Sequence, residues 1–156
     1  MSTHYQGNPR EKLVLDTFIK FSRANNTLNQ FMRHNVEQQG LTISQFGVLE
    51  VLKHIGPLSV KEIGQKLLMT TSNLVTVIDN LVKQELVKRV PCDHDRRSII
   101  IHLTQKGSGF IEPVFRNHLD ELLNCFSVID DQQLITLGSL SKELGLKQKE
   151  KHNEKS

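Results

Sequence analysis

Apolar side chains recur at helical spacing along most of the chain, and turn residues punctuate them. Asn8-Pro9-Arg10-Glu11 reads as a helix start: Asn8 can cap, Pro9 suits the first helical position, and Glu11 closes a capping box. Val14, Phe18, Phe21, Leu28 and Met32, with Ala24 and Phe31 beside them, then predict a long amphipathic helix that ends before Gly40. Leu41-Thr42 opens a second element, whose Phe46, Leu49, Val51 and Leu52 precede the stop at Gly56-Pro57. Ser59-Val60-Lys61-Glu62 is another capping box, followed by Ile63, Leu67 and Leu68. Met69-Thr70-Thr71-Ser72 breaks that pattern, and a fourth helix runs from about Thr71 to Gln84 on Leu74, Ile78 and Leu81.

After Leu86 the period changes. Val87–Val90 and Ser98–Leu103 are β-branched runs around the charged stretch 91–97, which predicts a hairpin. Thr104 caps the next helix, with Ile111, Phe115, Leu119, Leu122 and Phe126 as its stripe, and Pro113 should kink or restart it. Asp130-Asp131-Gln132-Gln133 caps a last helix carrying Leu134, Leu137, Leu140 and Leu144, and residues 147–156 read as a frayed, polar tail. The fold class expected is therefore mainly α with one small β-hairpin. The long terminal stripes exceed what a small central domain could cover, and a second copy of the chain is the simplest cover.

Composition narrows the function classes. At 37% hydrophobic and 24% charged residues the chain has an ordinary water-soluble make-up, with no apolar run long enough to span a membrane. The first residues lack the apolar core of a secretory signal, and Cys92 and Cys125 make no disulfide framework, so a cytoplasmic setting is expected. The net charge of +3 is mild, but residues 41–109 hold nine basic against six acidic side chains, whereas residues 110–156 hold six against eight. An anionic partner for the middle of the chain fits this asymmetry, although charge alone does not establish one. No G-x-S-x-G, P-loop, dinucleotide-binding glycines or paired-carboxylate pocket is present, which argues against an enzyme and gives no catalytic residue and no cofactor. The seven histidines, among them His34, His54, His102 and His118, show no tight ligand spacing, so no metal site is expected.

Two short helices joined by a tight turn form a helix-turn-helix candidate. The second starts with Thr70, Thr71, Ser72 and Asn73, short hydrogen-bonding side chains at the end where backbone N–H groups point outward, and its outer face continues through Thr76 and Asn80. Such a helix suits a DNA major groove; two ordinary packed helices with good caps would look similar. The hairpin favours the first reading. Arg96 and Arg97 at its tip can reach a minor groove, and Asp95 can hold the Arg97 guanidinium, although a solvated turn with a weak ion pair has the same residues.

The stretch Asp95-Arg96-Arg97-Ser98-Ile99-Ile100-Ile101-His102-Leu103-Thr104-Gln105-Lys106-Gly107 resembles the wing signature of the MarR family: Asp-x-Arg, an apolar strand, then Leu-Thr-x-x-Gly. Leu41–Leu49 is similar to that family's second-element motif, and Ser72–Leu81 to its recognition helix. The resemblance covers roughly residues 10–146 and implies a winged helix-turn-helix homodimer regulating transcription from a pseudo-palindromic double-stranded operator. It divides the chain into a dimerisation helix (1–40), a DNA-binding domain (41–109), C-terminal dimerisation helices (110–146) and a tail (147–156). It implies that Thr70, Thr71, Ser72, Asn73, Val75 and Thr76 face the major groove, and that Asp95 orients Arg97 into the minor groove. Two positions depart from the family pattern. Thr76 stands where an arginine is common, and Glu85 where a turn glycine is common.

The family resemblance further implies a repressor released by a signal. The segments 41–64 and 77–99 particularly resemble the branch that answers quinones and related phenolic or oxidative stress. Phe21, Phe31 and Phe115 are the apolar candidates for an effector pocket, with plain core packing as the bland alternative. Thiol sensing by Cys92 or Cys125, metal sensing, and a winged helix that binds protein instead of DNA stay open as alternatives.

Overall fold

A computed structural model describes residues 4–92 and 99–153, with side chains described as far as Leu146. Nine elements follow one another: α1 (Pro9–Gln38), α2 (Ile43–Ile55), β1 (Leu58–Ser59), α3 (Val60–Leu67), α4 (Thr71–Lys83), β2 (Val87–Pro91), β3 (Ile99–Leu103), α5 (Gln105–Phe126) and α6 (Asp131–Asn153). The chain divides into two compact units, Met1–Glu121 and Leu122–Ser156.

The helix starts are those the capping residues dictate. Asn8 and Glu11 form a reciprocal capping box on α1, as do Thr42 and Gln45 on α2 and Ser59 and Glu62 on α3. Each satisfies two backbone donors that a helix leaves without an internal partner. The hairpin gains a third strand. β1 pairs with β3, giving an antiparallel sheet in the order β1-β3-β2 with Leu58 opposite Ile101 and Arg89 opposite Ile101 on the other side. A two-residue strand has no period for the sequence to display.

The core of the first unit is one apolar cluster in which Leu49, Ile63, Leu74, Ile78, Leu81, Ile101 and Ile111 are fully buried. Burying a side chain of this size stabilises the fold by roughly 1.5–3 kcal/mol, and Leu74, Ile78 and Leu81 anchor α4 to the core. Pro113 neither ends nor restarts α5, which is continuous from Gln105 to Phe126. It sits between Ile111 and Val114, both buried, and tertiary packing holds the helix through it.

α1 buries only Met32 and Val36, near its C-terminal end. Phe18 is 64% exposed, and Leu13, Val14, Phe21 and Phe31 are exposed as well. In the second unit, Asp130 and Gln133 cap α6 reciprocally, and Ile135, Leu137, Leu140 and Leu144 are exposed. The backbone of α6 stays helical to Asn153, past the frayed boundary expected at residue 147.

Candidate nucleic-acid interface

α3, a three-residue turn and α4 make the helix-turn-helix. The turn closes tightly on Gly64: Met69 donates its N–H to Gly64 O at 3.0 Å, and a Cβ on Gly64 would sit 3.1 Å from the Met69 carbonyl oxygen, a close fit. Leu68 takes the left-handed conformation (φ 53, ψ 38) as the C-cap of α3. Thr70 then turns extended and its carbonyl accepts from Leu74 N at 3.1 Å, starting α4.

The start of α4 differs from that of every other described helix. Thr70 makes no side-chain cap bond; its hydroxyl lies 3.4 Å from the Ser72 hydroxyl instead. The N-termini of α1, α2, α3, α5 and α6 all have a side-chain acceptor, supplied in α5 by Thr104 Oγ1, which accepts from Gly107 N at 2.9 Å. The first N–H groups of α4 therefore lack the side-chain acceptor that the other described helices have, at the end of a helix whose partial positive charge favours anions. Thr70, Thr71, Ser72, Asn73, Thr76 and Asn80 are exposed around it, and Val75 is 39% exposed. Leu74, Ile78 and Leu81 on the opposite side are fully buried. The structure therefore brings the expected helix residues together on one outward surface.

The wing tip, with Asp95, Arg96 and Arg97, lies outside the described residues. Its base is tied to α4. Arg89 Nη1 on β2 lies 2.6 Å from Asp79 Oδ1 on α4, an ion pair the sequence reading did not single out. The Leu-Thr-x-x-Gly motif also acquires a physical meaning. Thr104 Oγ1 donates to Glu85 O at 2.6 Å, Thr104 N donates to Leu86 O at 3.1 Å, and Gly107 packs directly on the Leu86 carbonyl. A Cβ on Gly107 would fall 2.8 Å from the Leu86 carbonyl carbon, so only glycine fits. Glu85 keeps the left-handed turn (φ 61) that a glycine would adopt freely. Its carboxylate meets Lys106 Nζ at 3.0 Å.

A cavity of about 360 Å³ opens beside this assembly between α1, α2, the turn and α5. Met32, Phe46, Leu67 and Met69 give it apolar walls, and Asn29, Glu50 and His118 give it polar ones. The His118 ring lies 4.5 Å from that of Phe46, and its buried Nδ1 has no hydrogen-bond partner among the described residues. Burial holds the His118 pKa below its ordinary value, partly opposed by the Glu50 charge. The expected pocket residues are elsewhere: Phe21 and Phe31 are exposed on α1, and Phe115 packs edge-on against His54 at 4.4 Å. Their apolar character was visible in the sequence; the direction of each ring was not. Cys92 and Cys125 are free and half-buried, and the described residues hold no cluster of three metal-ligating side chains. No helix among the described residues is long and apolar enough to cross a membrane.

Comparison with known proteins agrees with this geometry. A family model described as the MarR family matches residues 39–98. The chain is 32% identical to the HTH-type transcriptional regulator MhqR of Bacillus subtilis over 139 residues, covering 89% of this chain and 96% of that one. Its fold is similar to that of a mutant MarR from E. coli complexed with operator DNA, with a TM-score of 0.75 at 19% identity over 88% of this chain and 99% of the other. It is also similar to NadR in complex with 4-hydroxyphenylacetate, with a TM-score of 0.71 at 20% identity over 92% and 97% of the two chains.

Proposed function

The chain belongs to the MarR family of winged-helix, DNA-binding transcriptional regulators, and from that premise we propose that it is a homodimeric repressor released from a pseudo-palindromic operator by a small phenolic or quinone-like molecule. The observation that carries the DNA-reading part is the start of α4, which has no side-chain cap beneath a surface of hydroxyl and amide groups. Backbone N–H groups at Ser72 and Asn73 meet phosphate, and the outward side chains of α4 meet base edges. Arg97, oriented by Asp95, enters the minor groove from each wing, with Arg96 beside it. The exposed apolar stripe of α1 supports pairing with a second copy, and so, separately, does that of α6. Two-fold symmetry then places the half-sites about one helical turn, roughly 34 Å, apart.

Effector binding belongs to the cavity lined by Met32, Phe46, Glu50 and His118. Its volume suits a single substituted ring, its apolar walls are interrupted by Asn29, Glu50 and His118, and the Nδ1 of His118 lacks a partner among the described residues that a phenolic hydroxyl can supply. Met69 lines the cavity one residue before the α4 N-cap, so a ligand there pushes on the turn that sets the recognition helix.

A mobility-shift titration with the DNA upstream of the protein's own gene tests the reading. Arg97→Ala should lose affinity while the protein stays folded, and the affinity of the unaltered protein should fall steeply as salt rises, since phosphate contacts release counterions. Unchanged affinity in that variant removes the wing from the mechanism, and the absence of any shift at low salt removes the function.

A further inference from the structure

The side chains that α4 offers to a groove form an unusual set for base reading. In the major groove, guanine is commonly read by arginine or lysine, adenine by asparagine or glutamine, and thymine through apolar contact with its C5 methyl. From Thr71 to Val82 the helix carries no arginine, lysine, histidine or glutamine. Its one charge is Asp79, which Arg89 holds at 2.6 Å. The first cation is Lys83, the last residue of the helix, about 16 Å along the axis from Ser72.

What remains is amide, hydroxyl and methyl. Asn73 and Asn80 are both exposed and stand seven residues apart, two turns, on one flank of the outward face. Val75 lies on the other flank, and Thr76 lies between them with its hydroxyl turned back toward Ser72 O at 3.5 Å. Val75, β-branched and a weaker helix former than alanine, still leaves 39% of its surface uncovered. A methyl partner in the groove gives it a purpose.

Resting on the DNA-binding function proposed above, we infer that α4 is an A·T reader. Asn73 and Asn80 bond the N6 and N7 edge of adenine, and the methyls of Val75 and Thr76 seat on thymine C5-methyl groups. The half-site beneath α4 is A·T-rich, and its recognition depends on those methyls.

Selection from a randomised duplex library on the immobilised full-length protein tests this. The best duplex is then resynthesised with deoxyuridine in place of thymidine, which deletes the C5 methyl and nothing else. That methyl lies only in the major groove, so contacts of the wing in the minor groove do not respond to the exchange. We expect A·T-rich half-sites and a loss of about four-fold in affinity per buried methyl on the uracil duplex. Val75→Ala should bind thymine and uracil duplexes more nearly alike while keeping the salt slope of the unaltered protein, with a thermal melt confirming its fold. Selected half-sites built on G·C pairs under α4, or equal affinity of the unaltered protein for thymine and uracil duplexes, would overturn the inference and leave DNA binding standing. Retention of no duplex at low salt would overturn the DNA-binding function and this inference with it.

Discussion

The two ends of α4 are built on opposite principles. At its C-terminal end the helix passes into β2 through Glu85 and Leu86, and the contacts there are dense: Thr104 bonds the carbonyls of both residues, Gly107 packs on Leu86, and Arg89 reaches back to Asp79. At its N-terminal end no side chain covers the first N–H groups, and the polar residues around them face solvent. One end is tied down by side-chain and backbone contacts and the other carries no side-chain cap. On the function proposed above, stability and binding reside at different ends of one 13-residue helix. Substitutions at the two ends should separate them.

The largest effect is expected at the closed end. Gly107→Ala forces a methyl into the Leu86 carbonyl, and backbone must move on both sides. We expect a loss of about 3 kcal/mol in unfolding free energy, read as a drop of roughly 6–12 °C in Tm. A melting curve that superimposes on that of the unaltered protein would show that the wing base is not the close contact described.

At the open end, Ser72→Asp should split the two properties. A carboxylate in the first turn complements the helix dipole and should raise stability by about 0.5 kcal/mol. The same charge meets the DNA phosphates and should lower operator affinity by roughly 10–100-fold. Thermal melts and a mobility-shift titration of one preparation read both. If stability and affinity move in the same direction, the contrast between the ends is wrong.

Much of this contrast could be seen in the sequence, and the exceptions have physical causes. Caps at Asn8, Ser59, Thr104 and Asp130 are local chemistry, and so is the inner stripe Leu74, Ile78, Leu81; both read correctly. The outward set from Thr70 to Asn80 follows from the same periodicity. β1 was hidden because its two residues pair with a strand some 40 positions away. Of the two outcomes expected at Pro113, a restart does not occur: α5 runs on through it where Ile111 and Val114 are buried. The cavity was hidden for a related reason. Its walls come from four separated segments, and aromatic residues such as Phe21 and Phe31 look the same in sequence whether they face inward or outward. The missing caps at Thr70 could not be read either, because threonine is a good cap residue that here bonds elsewhere.

Glu85 sharpens the contrast at a smaller scale. A left-handed residue with a side chain is strained relative to glycine, and the exposed Lys106 contact returns little. Glu85→Gly should raise stability by about 0.5–1 kcal/mol and leave operator affinity unchanged, since the change lies at the closed end. Chemical denaturation and a shift titration check the pair of outcomes. A lower stability would mean that the carboxylate, and not the backbone angle, is what matters at that turn.

The smallest effect concerns His118, in the cavity rather than at either end of α4. Burial holds its pKa below the ordinary value of about 6.5, against an opposing pull from Glu50. Above that value the ring is neutral in both the folded and the unfolded chain and contributes no pH dependence. As pH falls through it, the unfolded chain takes up a proton that the folded chain resists, so stability declines until the folded ring also titrates. His118→Gln removes that difference. It also removes the tilted ring contact with Phe46, so the informative quantity is the change of the urea midpoint between pH 7.5 and pH 5.5, and not the midpoint itself. The unaltered protein should lose more of its midpoint over that interval than the variant does. An equal or larger loss in the variant would mean that His118 is solvated in the native protein. The unpartnered Nδ1 would then have water available, and the case for a phenolic hydroxyl in the cavity would lose its polar anchor.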